Sequence, residues 1–395
     1  MKIIYNLEQA LVLGGRCLDA IKETKKQTLT GHGMKKLPEE VDGPWEMSVS
    51  ALNNTIKYIS GLGHACYMIC VTDSKPEVYK IAGYGFPSLY SKAILKTFKR
   101  KRIPTNRTYR VMQCILRPIK KVETASEELA SFLASLSYTL PNGVYIWTAS
   151  DAMILKKDKT GPWPTIGDVT LKLDNKFVPL LAYSGHTDFW DIPVPNFDDI
   201  QYALGKSTPP EFVEWETKKP IAVFRGTTTG CGYTTETNMR LKLSTMRSPD
   251  LDVGIVKHTV QMKFDPKEGL GTIKSSEFPL VPPMPMSEQA THKYIIHIDG
   301  NVAAYRLLGT MMTGSLILKV DGPYTLWIDH LLKPGKHYVP VKADLSDLDE
   351  VLEWCKKHDA KCKKIALEGY EFAKNALTKD YIDASFAKVL WAVKN

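Results

Sequence analysis

A strand, a turn, a helix and a second strand follow one another directly over residues 293–341, and this stretch constrains the fold most. Residues 294–298 are an apolar run of strand length with β-branched side chains, and Gly300 interrupts the pattern. Residues 303–313 have helical composition, and residues 316–320 form a second apolar run. This succession builds parallel α/β domains, in which ligands bind at the carboxyl ends of the strands.

The turn in this stretch has the parts of an anion site. Gly300 and Asn301 would open the helix and leave backbone N–H groups free, with Arg306 one turn further on. A diphosphate is the simplest such anion. The alternative is a core unit of strand and helix with a surface arginine, because such units occur in many folds.

A second loop with glycine and arginine follows a strand predicted over residues 222–226. Its residues 226–232 are rich in Gly and Thr, and Asn238 and Arg240 lie beyond. Small residues let the backbone approach a phosphate, and arginines from two loops could hold the charge of a leaving diphosphate. For Arg225 we favour the alternative that it binds carbonyl groups of its own domain. The Walker A spacing is absent, which disfavours an ATPase.

Three sets of polar residues are candidates for acid–base chemistry or ligand contacts, and the first follows a predicted buried strand at residues 143–148. Asp151 could act as a general base toward a hydroxyl, although an Asp in this position more often caps a helix or lies in a turn. His337 is either a ligand contact or a hydrogen-bonded packing residue. A third polar cluster could suggest a hydrolase triad, but no Gly-x-Ser-x-Gly elbow accompanies it, so we interpret it as a substrate-binding loop or a structural turn. Its residues are Ser184, His186, Asp188 and Asp191.

Length and charge limit the class of protein. A chain of 395 residues fits two domains, which we assign to residues 1–215 and 216–395. The proline-rich stretch at residues 163–220 is either an interdomain region or a set of loops that line a cleft. The formal charge of +9 suits nucleic acid, a membrane surface or a phosphorylated ligand. No nucleic-acid-binding motif is present, so the basic runs at residues 96–102 and 117–121 are interpreted as solvated faces.

Cysteine usage and the termini indicate a compartment. The seven cysteines are scattered without a Cys-x-x-Cys pair, which favours a reduced, cytoplasmic protein without a metal cluster. Glu8 follows Met1 too closely for a signal peptide, and no apolar stretch approaches the length of a membrane span.

Periodicity predicts the remaining elements. A turn at residues 73–76 favours a hairpin between strands 66–72 and 78–81, and a further strand is expected at residues 109–116. Helices are predicted over residues 7–26, 126–136, 345–358, 361–374 and 381–393.

These motifs, in this order, resemble glycosyltransferase family 90, the family of protein O-glucosyltransferases and capsule-associated glycosyltransferases. The resemblance is strongest over residues 222–372, weakens upstream through Leu140-Pro141 and residues 183–193, and has no support before about residue 125. The matching motifs are Phe224-Arg225-Gly226, Lys293-Tyr294, Asp299-Gly300, Arg306, Gly314-Ser315, His337 with Tyr-Val-Pro-Val, and residues 344–348.

The resemblance implies a GT-B architecture, with two Rossmann-like domains facing a cleft and C-terminal helices. It implies an N-terminal acceptor-binding domain, a C-terminal donor domain, and inverting transfer from a UDP-sugar, UDP-xylose or UDP-glucose, without metal or other cofactor. Asp151 matches the catalytic base, and Arg240 matches an arginine that holds the donor diphosphate. The other implied donor contacts are Gly226, Thr227, Thr228, Thr229, Gly300, Asn301, Val302, Ala303, Ala304, Tyr305 and Arg306.

Two departures bear on function. The family commonly has Ser where this chain has Ala304, so a donor hydrogen bond is lost or supplied by the backbone, and a non-catalytic carbohydrate- or nucleotide-binding protein on a degenerate GT-B fold is the alternative. Animal members are secretory and disulfide-bonded, unlike this chain. The acceptor is therefore expected to be a glycan or a cytoplasmically glycosylated protein.

Overall fold

The computed structural model describes residues 2–4, 7–23, 43–61, 66–81, 121–148, 153–158, 176–259, 263–265 and 267–393. The chain divides into two compact units, Met1–Phe197 with Ile382–Asn395, and Asp198–Tyr381. The predicted base Asp151, the predicted strand at residues 109–116 and the basic run at residues 96–102 lie outside the described residues.

The first unit is an α/β unit with a mixed sheet. Its elements are β1 (Lys2–Ile4), α1 (Leu7–Glu23), α2 (Val49–Gly61), β2 (Cys66–Thr72), β3 (Lys75–Ile81), α3 (Lys121–Ala134), β4 (Gly143–Thr148), β5 (Leu180–Ala182), β6 (Gly185–His186) and β7 (Ile192–Pro193). Six strands have the order β1-β3-β2-β4-β5-β7. The strand β2 is antiparallel to β3 and β4, and the pairs β1–β3, β4–β5 and β5–β7 are parallel.

The predicted hairpin of the first unit is confirmed. Asp73 and Ser74 connect β2 to β3 with φ angles of 50° and 62°. Two positive φ values give the turn the twist that matches two antiparallel strands. Every residue of β4 is buried, as its unbroken apolar sequence predicts for a strand covered on both faces.

The second unit contains a fully parallel sheet. Its elements are α4 (Phe197–Ala203, which begins at the boundary), β8 (Lys219–Thr227), α5 (Met239–Thr245), β9 (Leu251–Lys257), β10 (Lys263–Asp265), β11 (Gly269–Gly271), α6 (Met286–Gln289), β12 (His292–His297), α7 (Leu307–Met311), β13 (Leu316–Val320), β14 (Tyr324–Thr325), β15 (Val339–Val341), α8 (Leu348–Lys357) and α9 (Asp359–Ala376). The last helix, α10 (Lys379–Ala392), begins in this unit and belongs to the first unit from Ile382 onward. Five strands have the order β15-β13-β12-β8-β9. The strands β10 and β11 form a separate antiparallel hairpin.

Alternate residues of the parallel sheet build the main core of the second unit. Phe224 on β8, Tyr294 on β12 and Leu318 on β13 face the same cluster as Leu352 of α8 and Ile365 of α9. Burying a side chain of this size stabilises the fold by about 1.5–3 kcal/mol. The helices α8 and α9 thus cover one face of the sheet on which the candidate site is built.

The last helix joins the first unit, whereas the sequence interpretation assigned all three C-terminal helices to residues 216–395. From Ile382 onward the chain packs with the first unit. The Phe386 ring lies 5.4 Å from the Phe132 ring and stacks on Trp147 at 5.6 Å. The Trp391 indole N–H donates to the carbonyl of Thr139. These contacts arise only in the folded chain, so helical periodicity does not reveal them.

The α/β class and the C-terminal helices predicted from the sequence are confirmed. Both units contain parallel strands, and three helices end the described chain. These are the elements of the GT-B class.

Candidate functional site

The topology of the parallel sheet predicts where a ligand would bind. From β8 the chain continues to β9 on one side of the sheet, and from β12 it continues to β13 and β15 on the other. The neighbours β8 and β12 therefore flank a topological switch point, and ligands of open α/β sheets bind in the crevice at the carboxyl ends of such strands. Two segments lie there, the β8 loop (228–238) and the β12 loop (298–306).

Arg240 joins these two loops. It lies in the first turn of α5, where the Asn238 side chain caps the helix by accepting from the Arg240 N–H at 3.2 Å. Its guanidinium donates to Thr229 Oγ1 at 2.6 Å in the β8 loop. It also donates to the carbonyl oxygens of Ile298 and Asp299 at 2.9 and 2.8 Å in the β12 loop. Five fixed donors in one plane suit a guanidinium to this bridging role.

Arg306 approaches the same position from the end of the β12 loop. Its Nη1 donates to the Arg225 carbonyl at 3.2 Å, and its guanidinium carbon lies 5.7 Å from the centroid of the buried Phe224 ring. The Arg240 carbon lies 5.8 Å from that centroid. Burial lowers the pKa of both guanidinium groups, and burial together with the charge of Arg306 lowers that of Arg240 to about 10. A guanidinium group is not deprotonated in proteins, so both remain cations at neutral pH.

Lys263 is a third cation in this region, and no sequence pattern singles it out. Its ammonium donates to the Gly230 carbonyl and, at 2.9 Å, to Asn301 Oδ1. The same Asn301 oxygen accepts from the Gly230 N–H at 2.9 Å. Burial lowers the pKa of Lys263 to about 8, with Cys231 acting to raise it and Arg240 to lower it further. The short β10–β11 hairpin carries this lysine, and Asp265 on the same hairpin binds Thr234 and Thr237 of the β8 loop.

None of the three cations has a carboxylate partner among the residues that the structure describes. No carboxylate oxygen in those ranges lies within 4.0 Å of Arg240, Arg306 or Lys263. The nearby Asp299 uses its carboxylate to accept the Ala304 N–H at 3.1 Å, and burial raises its pKa to about 6. Buried charges are usually paired, so this arrangement fits a bound anion of more than one negative charge.

Small residues bring the two loops together. A Cβ atom added at Gly300 would lie 3.1 Å from Thr229 Oγ1 and 3.3 Å from Arg240 Nη2. One added at Gly226 would lie 2.5 Å from the Phe224 ring. Gly230 has a φ of 137°, which side chains rarely adopt. A side chain at Gly226 or Gly300 would therefore press on its neighbours, and the φ of Gly230 favours glycine, which agrees with the close approach predicted from the sequence.

The three predicted threonines differ in their surroundings. Thr227 and Thr229 contact each other through their hydroxyl groups at 3.0 Å, and Thr229 also contacts Arg240. Thr228 is fully buried, and its hydroxyl accepts from the Thr259 N–H at 2.8 Å. The Thr228 side chain therefore holds the β8 loop to the segment that follows β9.

The β12 loop is longer, and its helix shorter, than the sequence suggests. The expected helix over residues 303–313 is α7 (Leu307–Met311), so Arg306 precedes the helix instead of lying one turn inside it. The Gly300 N–H donates to the Val302 carbonyl at 2.9 Å, and the Ala304 N–H is held by Asp299. Val302 and Ala303 are buried and Tyr305 is half-buried. These bonds fold residues 300–304 into a compact turn in place of a first helical turn.

Arg225 has the structural role that the sequence favoured. Its guanidinium forms an ion pair with Asp252 at 2.6 Å and donates to the carbonyl oxygens of Asp252 and Pro282 at 2.8 and 3.3 Å. It therefore ties β8 to the neighbouring edge of the sheet. His337 is likewise a packing residue, stacked on Phe372 with ring centroids 4.9 Å apart.

In the first unit, Asp191 anchors the segment that follows the undescribed Asp151. Its carboxylate is buried and accepts from the backbone N–H groups of Ile154 and Leu155 at 2.9 and 2.8 Å. Burial raises its pKa to about 7, although both backbone hydrogen bonds act to lower it. His186 Nδ1 accepts from the Asp188 N–H at 3.0 Å. Of the two interpretations of this cluster, these contacts support the structural turn.

The described ranges contain neither a metal-binding cluster nor a membrane-spanning helix. Within them, no group of three or more His, Cys, Asp or Glu side chains is arranged to hold a metal ion. None of their helices combines the length and the apolar character that a membrane crossing requires.

Comparison with known proteins agrees with these features. The sequence profile of Glycosyl transferase family 90 matches residues 159–392, more than half of the chain. Protein O-glucosyltransferase 3 of Mus musculus is 32% identical over 229 residues, which are 54% of this chain and 42% of the mouse protein. The uncharacterized protein 179R of Invertebrate iridescent virus 6 is 40% identical over 191 residues, 42% of this chain and 16% of the viral protein.

The chain thus matches less than half the length of each of these relatives. Among solved structures, Anabaena Alr3699/HepE in complex with UDP-glucose has a TM-score of 0.33 and 9% identity, over 67% of each chain. The fold assignment rests on the sheet topology and the family on the profile match. The chain belongs to Glycosyl transferase family 90.

Proposed function

We propose that the protein transfers a sugar from a UDP-sugar to an acceptor hydroxyl, with inversion at the anomeric carbon and without a metal ion. One observation carries the donor part of the proposal. Arg240, Arg306 and Lys263 converge at the switch point of the parallel sheet without a carboxylate partner among the described residues. A nucleoside diphosphate supplies the missing negative charge.

The reaction is a single displacement. As the acceptor oxygen forms its bond to the anomeric carbon, the bond from that carbon to the diphosphate oxygen breaks and its electron pair remains on UDP. The cations at the switch point stabilise the negative charge that develops on the diphosphate. In other enzymes, one preorganised hydrogen-bond donor of this kind stabilises the transition state by about 3–4 kcal/mol. Arg240 and Arg306 are held by backbone carbonyl groups before any substrate binds, so little reorganisation accompanies the reaction.

Asp151 would take the proton of the acceptor hydroxyl. This assignment rests on the family motif that residue 151 matches. One carboxylate base suffices for a displacement with inversion, because no covalent intermediate forms.

The sugar and the acceptor are proposed from the family. Relatives named protein O-glucosyltransferase support glucose as the donor sugar and a protein hydroxyl as the acceptor. Xylose as the sugar and a glycan as the acceptor are the alternatives within the proposal. The cations at the switch point support transfer without a metal, because they supply the charge that a divalent ion would bring.

A donor screen tests this function. UDP release is measured from UDP-glucose, UDP-xylose, UDP-galactose and GDP-sugars, with EDTA present and with glycan and peptide acceptors. The proposal predicts release from UDP-glucose or UDP-xylose. UDP binding without turnover of any donor would instead support a non-catalytic nucleotide-binding protein, an alternative that Ala304 keeps open.

A further inference from the structure

Lys263 lies outside the family motifs, and its position supports a role in the donor site. We propose that its ammonium group is a direct ligand of the donor diphosphate and, at the same time, a second link between the β8 loop and the β12 loop beside Arg240. The inference rests on the proposed function, because it names a further residue of the same donor site.

The hydrogen bonds of Lys263 reach both loops. Its Nζ donates to the Gly230 carbonyl in the β8 loop and to Asn301 Oδ1 in the β12 loop. Asn301 Oδ1 also accepts from the Gly230 N–H. Lys263, Gly230 and Asn301 are thereby joined in one hydrogen-bond network. It lies at a turn that the Gly230 φ of 137° already constrains.

The ammonium group still lacks one partner within the described residues. An ammonium has three N–H donors, and those ranges provide two acceptors, both of them neutral oxygens. Only 6% of Lys263 is exposed, so water replaces little of the missing interaction. A buried cation that has a donor left over and no carboxylate partner among the described residues is well suited to a phosphate oxygen.

The hairpin that carries Lys263 is itself held against the β8 loop. Asp265 accepts from the hydroxyl groups of Thr237 and Thr234 at 2.7 and 3.1 Å. Its other oxygen accepts from the N–H groups of Lys267 and Glu268. The carboxylate on this hairpin is therefore engaged in its own turn, and the lysine stays available to an anion.

A contact between Lys263 and the diphosphate can be recognised from the pH dependence of the affinity for UDP. Arg240 on α5 and Cys231 in the β8 loop act on it in opposite directions, and burial holds its pKa near 8. A bound diphosphate favours the charged amine. The affinity for UDP is therefore expected to decrease between pH 7 and pH 9, where the free amine loses its proton and the terminal phosphate, with a pKa near 6, is already ionised.

Calorimetric titration of the full chain with UDP tests the inference. Lys263→Met is expected to weaken UDP binding about tenfold or more at pH 7, the size of one lost charge-assisted hydrogen bond. Lys263→Arg is expected to retain binding and to show no decrease up to pH 9. The control is Lys267→Met, which removes an equal charge from a side chain that is 77% exposed on the same hairpin, and it is expected to bind UDP as the wild type does.

The outcomes separate the two proposals. If Arg240→Ala weakens UDP binding whereas Lys263→Met binds within twofold of the wild type, the role of Lys263 is wrong and the donor site stands. If the wild type does not bind UDP, both are wrong. Should Lys263→Met lack a cooperative thermal transition, the pH profiles decide, because parallel profiles for the wild type and Lys263→Arg would contradict a direct contact.

Discussion

Arg240 and Arg306 share one aromatic ring, with guanidinium carbons 5.8 and 5.7 Å from the centroid of Phe224. The two arginines come from different loops, and backbone carbonyl groups hold each of them. The ring face attracts both cations and offsets part of their mutual repulsion. The site therefore exists as a preformed positive cluster at the carboxyl end of the sheet.

The contribution of Arg240 is the first prediction. Arg240→Ala removes a half-buried cation and its bridge to Thr229. We expect UDP to bind at least about tenfold more weakly, since hydrogen bonds to charged groups are worth about 1.5–3 kcal/mol. Arg247→Ala is the matched control, because Arg247 is exposed just beyond the same helix. Equal UDP affinities of the two variants, measured by calorimetry, would show that the diphosphate does not bind at Arg240.

The second prediction concerns Asp151. Asp151→Asn is expected to lower the rate of sugar transfer by at least about 100-fold, the usual contribution of a general base, with the affinity for UDP unchanged. Transfer kinetics and calorimetry on the same preparation check both parts. A variant that transfers sugar at the wild-type rate would show that another group accepts the proton.

Asp299 gives the third prediction, which concerns pH. Burial raises its pKa from 3.8 to about 6, so between those values the folded chain binds more protons than the unfolded chain. The free energy of unfolding should therefore contain a contribution that decreases as pH rises from 4 to 6 and is constant above, on the order of 2–3 kcal/mol. Asp299→Asn is expected to remove this contribution. Denaturant unfolding with the same pH dependence in both proteins would contradict the assignment.

Asp191 supports the fourth prediction. Asp191→Ala leaves the backbone N–H groups of Ile154 and Leu155 without their acceptor in a buried environment, which is expected to cost about 2–4 kcal/mol of unfolding free energy. Asp188→Ala is the control, because the Asp188 side chain is 67% exposed and its loss should change stability by less than about 0.5 kcal/mol. Equal thermal midpoints for the two variants would mean that Asp191 does not anchor this segment.

Local sequence patterns predicted much of the fold. The apolar run that becomes β4, the hairpin around Asp73 and the helices α8 and α9 follow from periodicity and turn chemistry, which depend on neighbouring residues. The convergence of Arg240 and Arg306 was also predictable, because both follow strands whose carboxyl ends meet at one edge of a parallel sheet.

What the sequence did not reveal depends on distant contacts. Lys263 reaches Asn301 across 38 residues from a strand of only three residues. The Asp299 carboxylate shortens α7 by holding the Ala304 N–H, although the composition there is helical. The last helix packs with the first unit because the Phe386 ring contacts the rings of Phe132 and Trp147.

Calorimetric titration with UDP and with uridine, in EDTA at pH 7, tests the central claim that the cations at the switch point bind a diphosphate. The predicted result is that UDP binds at least about 100-fold more tightly than uridine, since two or more charge-assisted hydrogen bonds go to the phosphates. That advantage should decrease as salt is added. Equal affinities for UDP and uridine would contradict the account.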